Sequence, residues 1–311
     1  MPGLSAPTVP AELARGIKVL EPLPVTAQRL FQLLKGEDVS LSQVADVIEF
    51  DPTTAAAVLR EASTVRYAGH GLTTVRDAAL RLGTAALLNL VFDRHIATLR
   101  AATPMYDLSE HDHWLHGAAA QLAVRAIKKE CPRAGIPELA DTAAMMHDIG
   151  KLITSRYLKV EAEEILALTR AKTISFVDAE RHVLGTDHAQ IGAAVAEHWQ
   201  VPREIVEAIR YHHAPGFGTP AVMTYTVAMA NLVAKTIGTG LGAEGLNLHI
   251  DPQTYRRLGI NFSSFGRVCL QTEEWLRELV ARHDPSMGHG ASAQVGPGSL
   301  HADARVVRPT R

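Results

Sequence analysis

Apolar residues recur at helical spacing along most of the chain, and no segment shows the alternation of apolar and polar residues that indicates a strand. Ser40 can cap one such helix, which carries Val44 and Ile48 on its apolar face. Asp51-Pro52 supplies a cap and a first-turn proline for the next helix. The pattern therefore predicts an all-α protein of short helices joined by short loops.

Further helices are predicted on both sides of these two. Residues 25–34 form an amphipathic segment after a proline-rich start that we expect to be extended. Thr74 can begin a helix that Gly83 ends, and Thr84 begins another apolar run. Longer segments of helical period follow, at 109–131, 138–149, 178–184, 187–199, 202–213 and 221–237, and then after Asp251-Pro252 and after Ser263 or Ser264.

Histidines become frequent after Pro104, where the predicted helices also lengthen, so we place a boundary there. The expected organisation is a flexible N-terminus (1–16), an N-terminal helical lobe (17–104), a larger helical lobe (105–283) and a disordered tail rich in Gly, Ser, Ala and Pro (284–311). The Gly-rich run 238–242 follows no strand, so it is a weak phosphate-binding signal and is expected to be a flexible connector.

Composition narrows the class of protein. The 311 residues are 47% hydrophobic and 21% charged, which is enough for a substantial core. A net charge of -2 disfavours nucleic acid as a partner, although salt-dependent DNA binding would restore that alternative. No apolar run reaches the roughly 18 residues that membrane insertion needs. Two cysteines without a CxxC pair fit the reducing cytoplasm.

The run His147-Asp148-Ile149-Gly150-Lys151 is the strongest chemical signal. It lies at the end of a predicted apolar helix that Gly150 can terminate, where the helix dipole favours a cation. Imidazole nitrogen suits zinc, iron or manganese, and carboxylate oxygen suits harder cations. A hydrogen-bonded pair that closes a helix end is the simpler alternative for His147 and Asp148. Other histidines occur in neighbouring predicted helices: His116, His188, His212 and His213.

The order of these motifs resembles the HD superfamily of metal-dependent phosphohydrolases, and within it the HDOD branch, the HD-related output domain of bacterial signalling. The resemblance rests on His116, the 147–151 run, the segment 187–192 (DHAQIG) and His212-His213. The preceding part of the chain has motifs in the order of the HDOD N-terminal region: Leu23-Pro24, Asp51-Pro52, Tyr67 and Leu82-Gly83. The resemblance covers roughly residues 17 to 240 and implies a helical fold.

The resemblance also implies a ligand set. Positions matching His116, His147 and Asp148 hold a first metal in catalytic relatives, and those matching His188, His212 and His213 hold a second one. Asn231 stands where those relatives have a final aspartate, and a neutral amide is a poorer ligand for iron, manganese or zinc. The Gly-Tyr-Pro motif of cyclic di-GMP phosphodiesterases is missing after His213.

Two functions follow from the resemblance. The favoured one is a cytoplasmic bacterial regulator that binds a signalling protein, has a degenerate metal site without catalysis, and takes a nucleotide as a candidate ligand. The alternative is a phosphohydrolase acting on a nucleotide or other phosphoester, in which a metal at Asp148 acidifies water and Lys151 holds the phosphate. A lysine beside a helix end is also favoured by the dipole alone.

Overall fold

Helices form all the regular structure in the described part of the chain. The computed structural model describes residues 9–34, 40–49, 51–63, 74–99, 106–158, 160–172, 174–217, 221–244 and 248–283. Fifteen α-helices lie within these ranges, and no strand does, which confirms the all-α prediction. None of the described helices combines the length and apolar character needed to cross a bilayer.

Five helices precede the predicted boundary at residue 104: α1 (Ala11–Lys18), α2 (Val25–Leu34), α3 (Leu41–Glu49), α4 (Pro52–Ala62) and α5 (Val75–Leu99). The other ten follow as α6 (Glu110–Glu130), α7 (Ala140–Met146), α8 (Ile149–Tyr157), α9 (Val160–Lys172), α10 (Phe176–Leu184), α11 (His188–His198), α12 (Arg203–Tyr211), α13 (Ala221–Thr236), α14 (Pro252–Leu258) and α15 (Phe262–His283).

The predicted helix starts and breaks are confirmed at several positions. The Asp51 carboxylate accepts from the backbone N–H groups of the first turn of α4, and Asp187 does the same for α11. Ser109 and Asp112 form a capping box at α6. Gly83 interrupts α5 with φ 76°, a conformation that favours glycine, so the chain changes direction where the sequence predicts it.

The N-terminus differs from its prediction. Residues 11–18 form α1 instead of the flexible segment expected through residue 16, because Leu13 and Ile17 lie four positions apart on one buried face. The ring of Tyr157 packs against Gly16, which fixes α1 against α8. The predictions for the tail 284–311, for Tyr67 and for Pro104 concern residues outside the described ranges.

The helical boundary near Gly150 also differs from its prediction. Gly150 does not terminate a helix, since α7 ends at Met146 and Gly150 lies in the first turn of α8. A Cβ at Gly150 would lie 1.9 Å from the backbone oxygen of His188. The glycine is therefore required by the close approach of α8 and α11, and this approach brings the ends of the two helices together.

One hydrophobic cluster joins the two predicted lobes. It includes Ile48 and Leu88 from the N-terminal helices together with Ala119 of α6 and Ile209 of α12. Helix α6 packs against α7, α13 and α15, and α11 packs against α8 and α12. Small residues on α6 permit this close packing, and the predicted ligands all lie on this group of helices.

Candidate metal centre

The histidines and the aspartate predicted as metal ligands converge where several helices meet. His116 projects from α6, and His147 and Asp148 form the junction between α7 and α8. The remaining three come from the first residue of α11 and the end of α12: His188, His212 and His213. The ligand atoms of these six side chains form two groups of three.

The first group is His116, His147 and Asp148. Nε2 of His116 lies 3.2 Å from Nε2 of His147, and each of these nitrogens lies 3.4 Å from Oδ2 of Asp148. All three side chains are buried. Two imidazoles and a carboxylate in this arrangement provide ligand atoms for one divalent ion.

The second group is His188, His212 and His213. Nε2 of His213 lies 2.9 Å from Nε2 of His188. Oδ1 of Asp148 lies 3.4 Å from Nε2 of His188 and 3.7 Å from Nε2 of His212. Asp148 therefore faces the first group with one carboxylate oxygen and the second group with the other.

Backbone carbonyls fix the orientation of three imidazoles. Nδ1 of His116 lies 3.0 Å from the carbonyl oxygen of Thr239. Nδ1 of His147 lies 2.7 Å from the carbonyl oxygen of Ala144, and Nδ1 of His212 lies 2.7 Å from that of Ile209. A carbonyl only accepts hydrogen bonds, so each Nδ1 carries the proton and each Nε2 presents its lone pair to the centre. This is the tautomer that a metal ligand requires.

Several buried atoms at the centre fit a cation better than a hydrogen bond. The Nε2 atoms of His116 and His147 face each other with lone pairs, which is repulsive unless a positive charge lies near both. Oδ1 of Asp148 and Nε2 of His212 are buried and make no hydrogen bond. A buried polar atom without a partner is costly, so the residues fit a divalent ion.

The pKa values of the histidines suit metal binding in most cases. Burial lowers the pKa of His116 to about 3 and also lowers the pKa of His147 and His212, so these imidazoles are neutral. Burial acts in the same direction on His188, but the negative charge of Glu180 outweighs it and raises the pKa of His188 to about 10. Neutral imidazole is the ligand form, so a metal at His188 would displace a proton.

Lys151 is paired with two carboxylates. Its Nζ lies 2.8 Å from Oδ2 of Asp148 and 2.5 Å from Oε1 of Glu244, and the side chain is 1% exposed. Burial lowers the pKa of Lys151, but the two carboxylates outweigh burial and raise it above the usual lysine range. Lys151 lies in the first turn of α8 instead of beyond a helix end, and its charge is already neutralised.

Four residues that contact the predicted site escape the sequence analysis: Glu180, Tyr106, Glu244 and Lys235. Glu180 on α10 is fully buried, with Oε2 2.7 Å from Nδ1 of His188, and it also accepts a hydrogen bond from the Tyr106 hydroxyl. Glu244 pairs with Lys151 and with Lys235 of α13. The buried face of α10 includes Phe176, Val177 and Ala179 beside Glu180. A carboxylate among apolar residues on one helix face was the sequence pattern that could have identified Glu180. No comparable pattern surrounds Glu244.

The Gly-rich run is part of the centre instead of a flexible connector. Gly240, with φ 62°, lies so close to His116 that a Cβ would be 2.7 Å from its ring. Gly242, with φ 41°, packs in the same way against the backbone oxygen of Tyr106. Thr239 supplies the carbonyl that orients His116, so the glycines permit a close approach and do not provide flexibility.

Asn231 projects from α13 toward a cavity of about 380 Å³ next to the second histidine group. Its side chain is buried, and its Oδ1 has no hydrogen-bond partner. His212, His213, Lys235 and Glu244 line the same cavity. Asn231 therefore lines the cavity beside the predicted ligands His212 and His213, and it brings no negative charge.

Comparison with known proteins identifies the same family as the motifs. The family model described as the HDOD domain matches residues 20–215. An uncharacterized protein of Treponema pallidum (strain Nichols) is 25% identical over 285 residues, which cover 86% of this chain and 49% of that protein. The chain therefore spans about half the length of this relative.

Solved structures share the fold. A candidate signal transduction protein from Marinobacter aquaeolei VT8 is 25% identical with a TM-score of 0.66, covering 89% of this chain and 60% of that one. An HDOD domain protein of unknown function from Geobacter sulfurreducens is 25% identical with a TM-score of 0.61, and the match covers 87% of this chain and 93% of that one. A candidate phosphohydrolase from Shewanella amazonensis SB2B shares the fold at 23% identity and a TM-score of 0.60. The match covers 86% of this chain and 98% of that one.

Proposed function

Because this chain belongs to the HDOD domain family, we propose that it is a bacterial regulatory protein that works by contact with a signalling partner and does not catalyse hydrolysis. The relative from Marinobacter, named as a candidate signal transduction protein, supports a role in regulation. The free cysteines Cys131 and Cys269 suit a cytoplasmic location.

The state of Lys151 is the observation that carries this proposal. Phosphoryl transfer requires a cation that is available to neutralise the charge that builds on the phosphate oxygens. Lys151 is instead buried between Asp148 and Glu244. Asn231 adds no charge that would help to retain a catalytic metal. A regulatory protein tolerates both features, whereas a hydrolase loses rate through each of them.

The centre would hold a divalent ion as a structural element. His116, His147 and Asp148 would bind one ion, and His188, His212 and His213 would bind a second one. Iron, manganese or zinc suits this donor set. A bound ion would neutralise the Asp148 carboxylate and separate the facing lone pairs of His116 and His147. It would also link the ends of α7, α11 and α12 to α6, which would stabilise the folded state.

A hydrolysis assay tests the absence of catalysis. Wild-type protein loaded with manganese, iron(II) or zinc is incubated with bis-p-nitrophenyl phosphate and a panel of nucleotides, beside Asp148→Asn loaded in the same way. We expect the wild type to release no more product than Asp148→Asn. Metal-dependent turnover that Asp148→Asn and His147→Ala both lose would overturn the proposal.

A binding assay tests the regulatory role. Cross-linking in the cells that make the protein, followed by mass spectrometry, identifies a partner, which is then purified and titrated with the protein by calorimetry. We expect a measurable Kd between the two purified components. Failure of every cross-linked candidate to bind in the reconstituted mixture would count against action through protein contact. A nucleotide added to the titration tests whether this ligand changes the affinity for the partner.

One observation favours the phosphohydrolase alternative. Asp148 directs one oxygen to each histidine group, and a shared carboxylate of this kind is compatible with two metals that clamp a phosphate. The 380 Å³ cavity beside the second group could admit a phosphoester. The hydrolysis assay decides between the two functions, since the alternative predicts turnover that depends on both His147 and Asp148.

A further inference from the structure

Two buried ammonium groups share one carboxylate beside the metal centre. Glu244 contacts Nζ of Lys151 and Nζ of Lys235, and these lysines are 1% and 5% exposed. Lysines are almost never buried without a partner. The Glu244 carboxylate therefore bridges two cations, of which Lys151 is also paired with Asp148, and it comes from a short turn (Gly242–Glu244) and not from one of the main helices.

The segment that carries Glu244 lies over the centre. We name residues 238–244 the strap. Gly240 packs on the ring of His116 and Gly242 packs on the Tyr106 backbone, while the Thr239 carbonyl accepts from His116. Three of the seven strap residues are glycines, and Ala243 packs against the apolar cluster that includes Tyr106 and Phe176. The Thr239 hydroxyl also donates to the Ala234 carbonyl, and the ion pairs of Glu244 add the charge-assisted interactions that hold the strap to α8 and α13.

A cavity of about 380 Å³ leads to these ion pairs. Glu244 and Lys235 are in its wall, and the Arg181 guanidinium is a further cation there. The Asp178 carboxylate lies in the same wall beside Arg181, at 3.5 Å, and is largely exposed. A small anion that enters from solvent thus meets Lys235 and Glu244 in the cavity wall, and it contacts the buried Lys151 only where it takes the place of the Glu244 carboxylate.

We propose that Glu244 is an internal counter-anion that a small oxyanion replaces between Lys151 and Lys235, so that binding in the cavity releases the strap. A phosphate or a small dicarboxylate presents the same oxygen atoms as the Glu244 side chain and carries more charge. Replacement transfers the Glu244 carboxylate to water and keeps both ammonium groups paired, and the charge of Lys151 stays compensated by Asp148 at 2.8 Å in either state. The inference rests on the proposed function, because it supplies the ligand-dependent change of surface that a regulatory protein needs.

Calorimetry on metal-free protein tests the competition, with inorganic phosphate and succinate as separate probes. Removal of the competing charge in Glu244→Gln should tighten the binding of at least one probe by roughly tenfold, a usual size for coupling between sites. Glu163→Gln is the matched control, since it removes an exposed carboxylate on α9 that does not line this cavity. Its affinity should stay close to that of the wild type.

Three results of this titration would overturn the proposal. They are equal affinity of the wild type and Glu244→Gln, the same gain in Glu163→Gln, and the absence of binding by either probe. The preferred probe identifies the ligand class, since tighter phosphate binding indicates a phosphate compound and tighter succinate binding indicates a dicarboxylate. The readout is binding and not turnover, so this inference and the proposed absence of catalysis can fail independently.

Hydrogen exchange on the wild type provides a second test that does not depend on how well Glu244→Gln folds. Amide groups of residues 238–244 should exchange faster when the protein is saturated with the better probe, while the amides of α13 keep their protection. Glu244→Gln should show the faster exchange of the strap without any probe. Unchanged exchange of the strap at saturation would mean that the anion binds without releasing it, which would overturn the proposal.

Discussion

Nδ1 of His188 lies 2.7 Å from Oε2 of Glu180, and neither side chain is exposed to solvent. The same oxygen of Glu180 accepts the backbone N–H of His188 at 3.2 Å, and its other oxygen accepts from the Tyr106 hydroxyl. An imidazole that donates through Nδ1 to a carboxylate presents Nε2 to a metal and is a stronger ligand. Glu180 is therefore a positioning residue for the second histidine group.

Replacing the Glu180 carboxylate with an amide should weaken metal binding. Glu180→Gln keeps the shape of the side chain but no longer fixes the orientation and charge of His188. We expect the affinity for zinc to fall by about 10–100-fold, the usual effect of losing such a partner. Competition with a chromophoric chelator measures the Kd, and the affinity at several pH values shows whether His188 releases its proton more easily.

Two variants separate this role from a general loss of structure. Glu163→Gln changes an exposed carboxylate on α9 and should leave zinc affinity unchanged. Tyr106→Phe removes a hydrogen bond to Glu180 but retains the carboxylate, so its effect on zinc should be smaller than that of Glu180→Gln. Equal zinc affinity in Glu180→Gln and the wild type would show that Glu180 does not position His188.

A methyl group at Gly150 should force apart the two helices that form the centre. The Cβ of Gly150→Ala would lie 1.9 Å from the His188 backbone oxygen and 2.7 Å from the Gly192 nitrogen. Backbone atoms cannot rotate away as side chains do. We expect the free energy of unfolding to fall by about 3 kcal/mol, the upper part of the range for overpacking, as measured by urea denaturation.

Gly266→Ala is the matched control for this substitution. Gly266 lies within α15, and no atom other than its own helix and neighbours lies within 4 Å of the added Cβ. A change from glycine to alanine at such a position stabilises by about 0.4–1 kcal/mol, because it reduces the freedom of the unfolded chain. If Gly150→Ala were as stable as Gly266→Ala, the result would contradict a close approach of α8 and α11 at Gly150.

The elements of the fold were predictable from local patterns, and the ligand histidines were predictable from their order. Asp51, Ser109 and Asp187 begin helices because a side-chain oxygen can satisfy backbone N–H groups a few residues away. Gly83 and Gly150 have the same local appearance, yet Gly83 breaks a helix and Gly150 accommodates another helix. That difference depends on residues 188 and 192, which a local pattern does not include.

The partners of the ligands were not predictable for a related reason. Thr239 orients His116 from 123 positions away in the sequence, through a backbone carbonyl that every residue type possesses. Tyr106 and Glu180 are 74 positions apart. Glu244 follows a Gly-rich run that has no helical period. Contacts of this kind are set by tertiary packing, so neither spacing nor residue type identifies them.

The cap of α4 should make stability sensitive to acid. Burial raises the pKa of Asp51, but hydrogen bonds from Thr53, Thr54 and Thr26 outweigh it and hold the pKa well below the usual range. A lowered pKa means that the carboxylate stabilises the folded state above the unfolded pKa of about 4 and that this contribution is lost as the pH falls below it. Asp51→Ala should therefore cost about 1–2 kcal/mol at neutral pH.

Urea denaturation at several pH values measures this contribution. The difference in unfolding free energy between the wild type and Asp51→Ala should be constant near neutral pH and should decrease as the pH falls below about 4. Glu49→Ala, at an exposed position at the end of α3, should show a much smaller difference at every pH. A difference for Asp51→Ala that does not change with pH would mean that the ionised carboxylate is not the stabilising form.

Metal content tests the centre itself. Protein purified without a chelator should contain iron, manganese or zinc at close to a stoichiometric amount by plasma mass spectrometry, because the lone pairs of His116 and His147 converge with the Asp148 carboxylate. His147→Ala should lose this metal, whereas His182→Ala, an exposed histidine on α10, should retain it. Restoring the ion at about one hundred times its Kd should raise the free energy of unfolding by about 2.7 kcal/mol. Folded wild-type protein that contains no metal, and gains no stability from added zinc, would mean that Lys151 alone compensates Asp148 and that the histidines are not ligands.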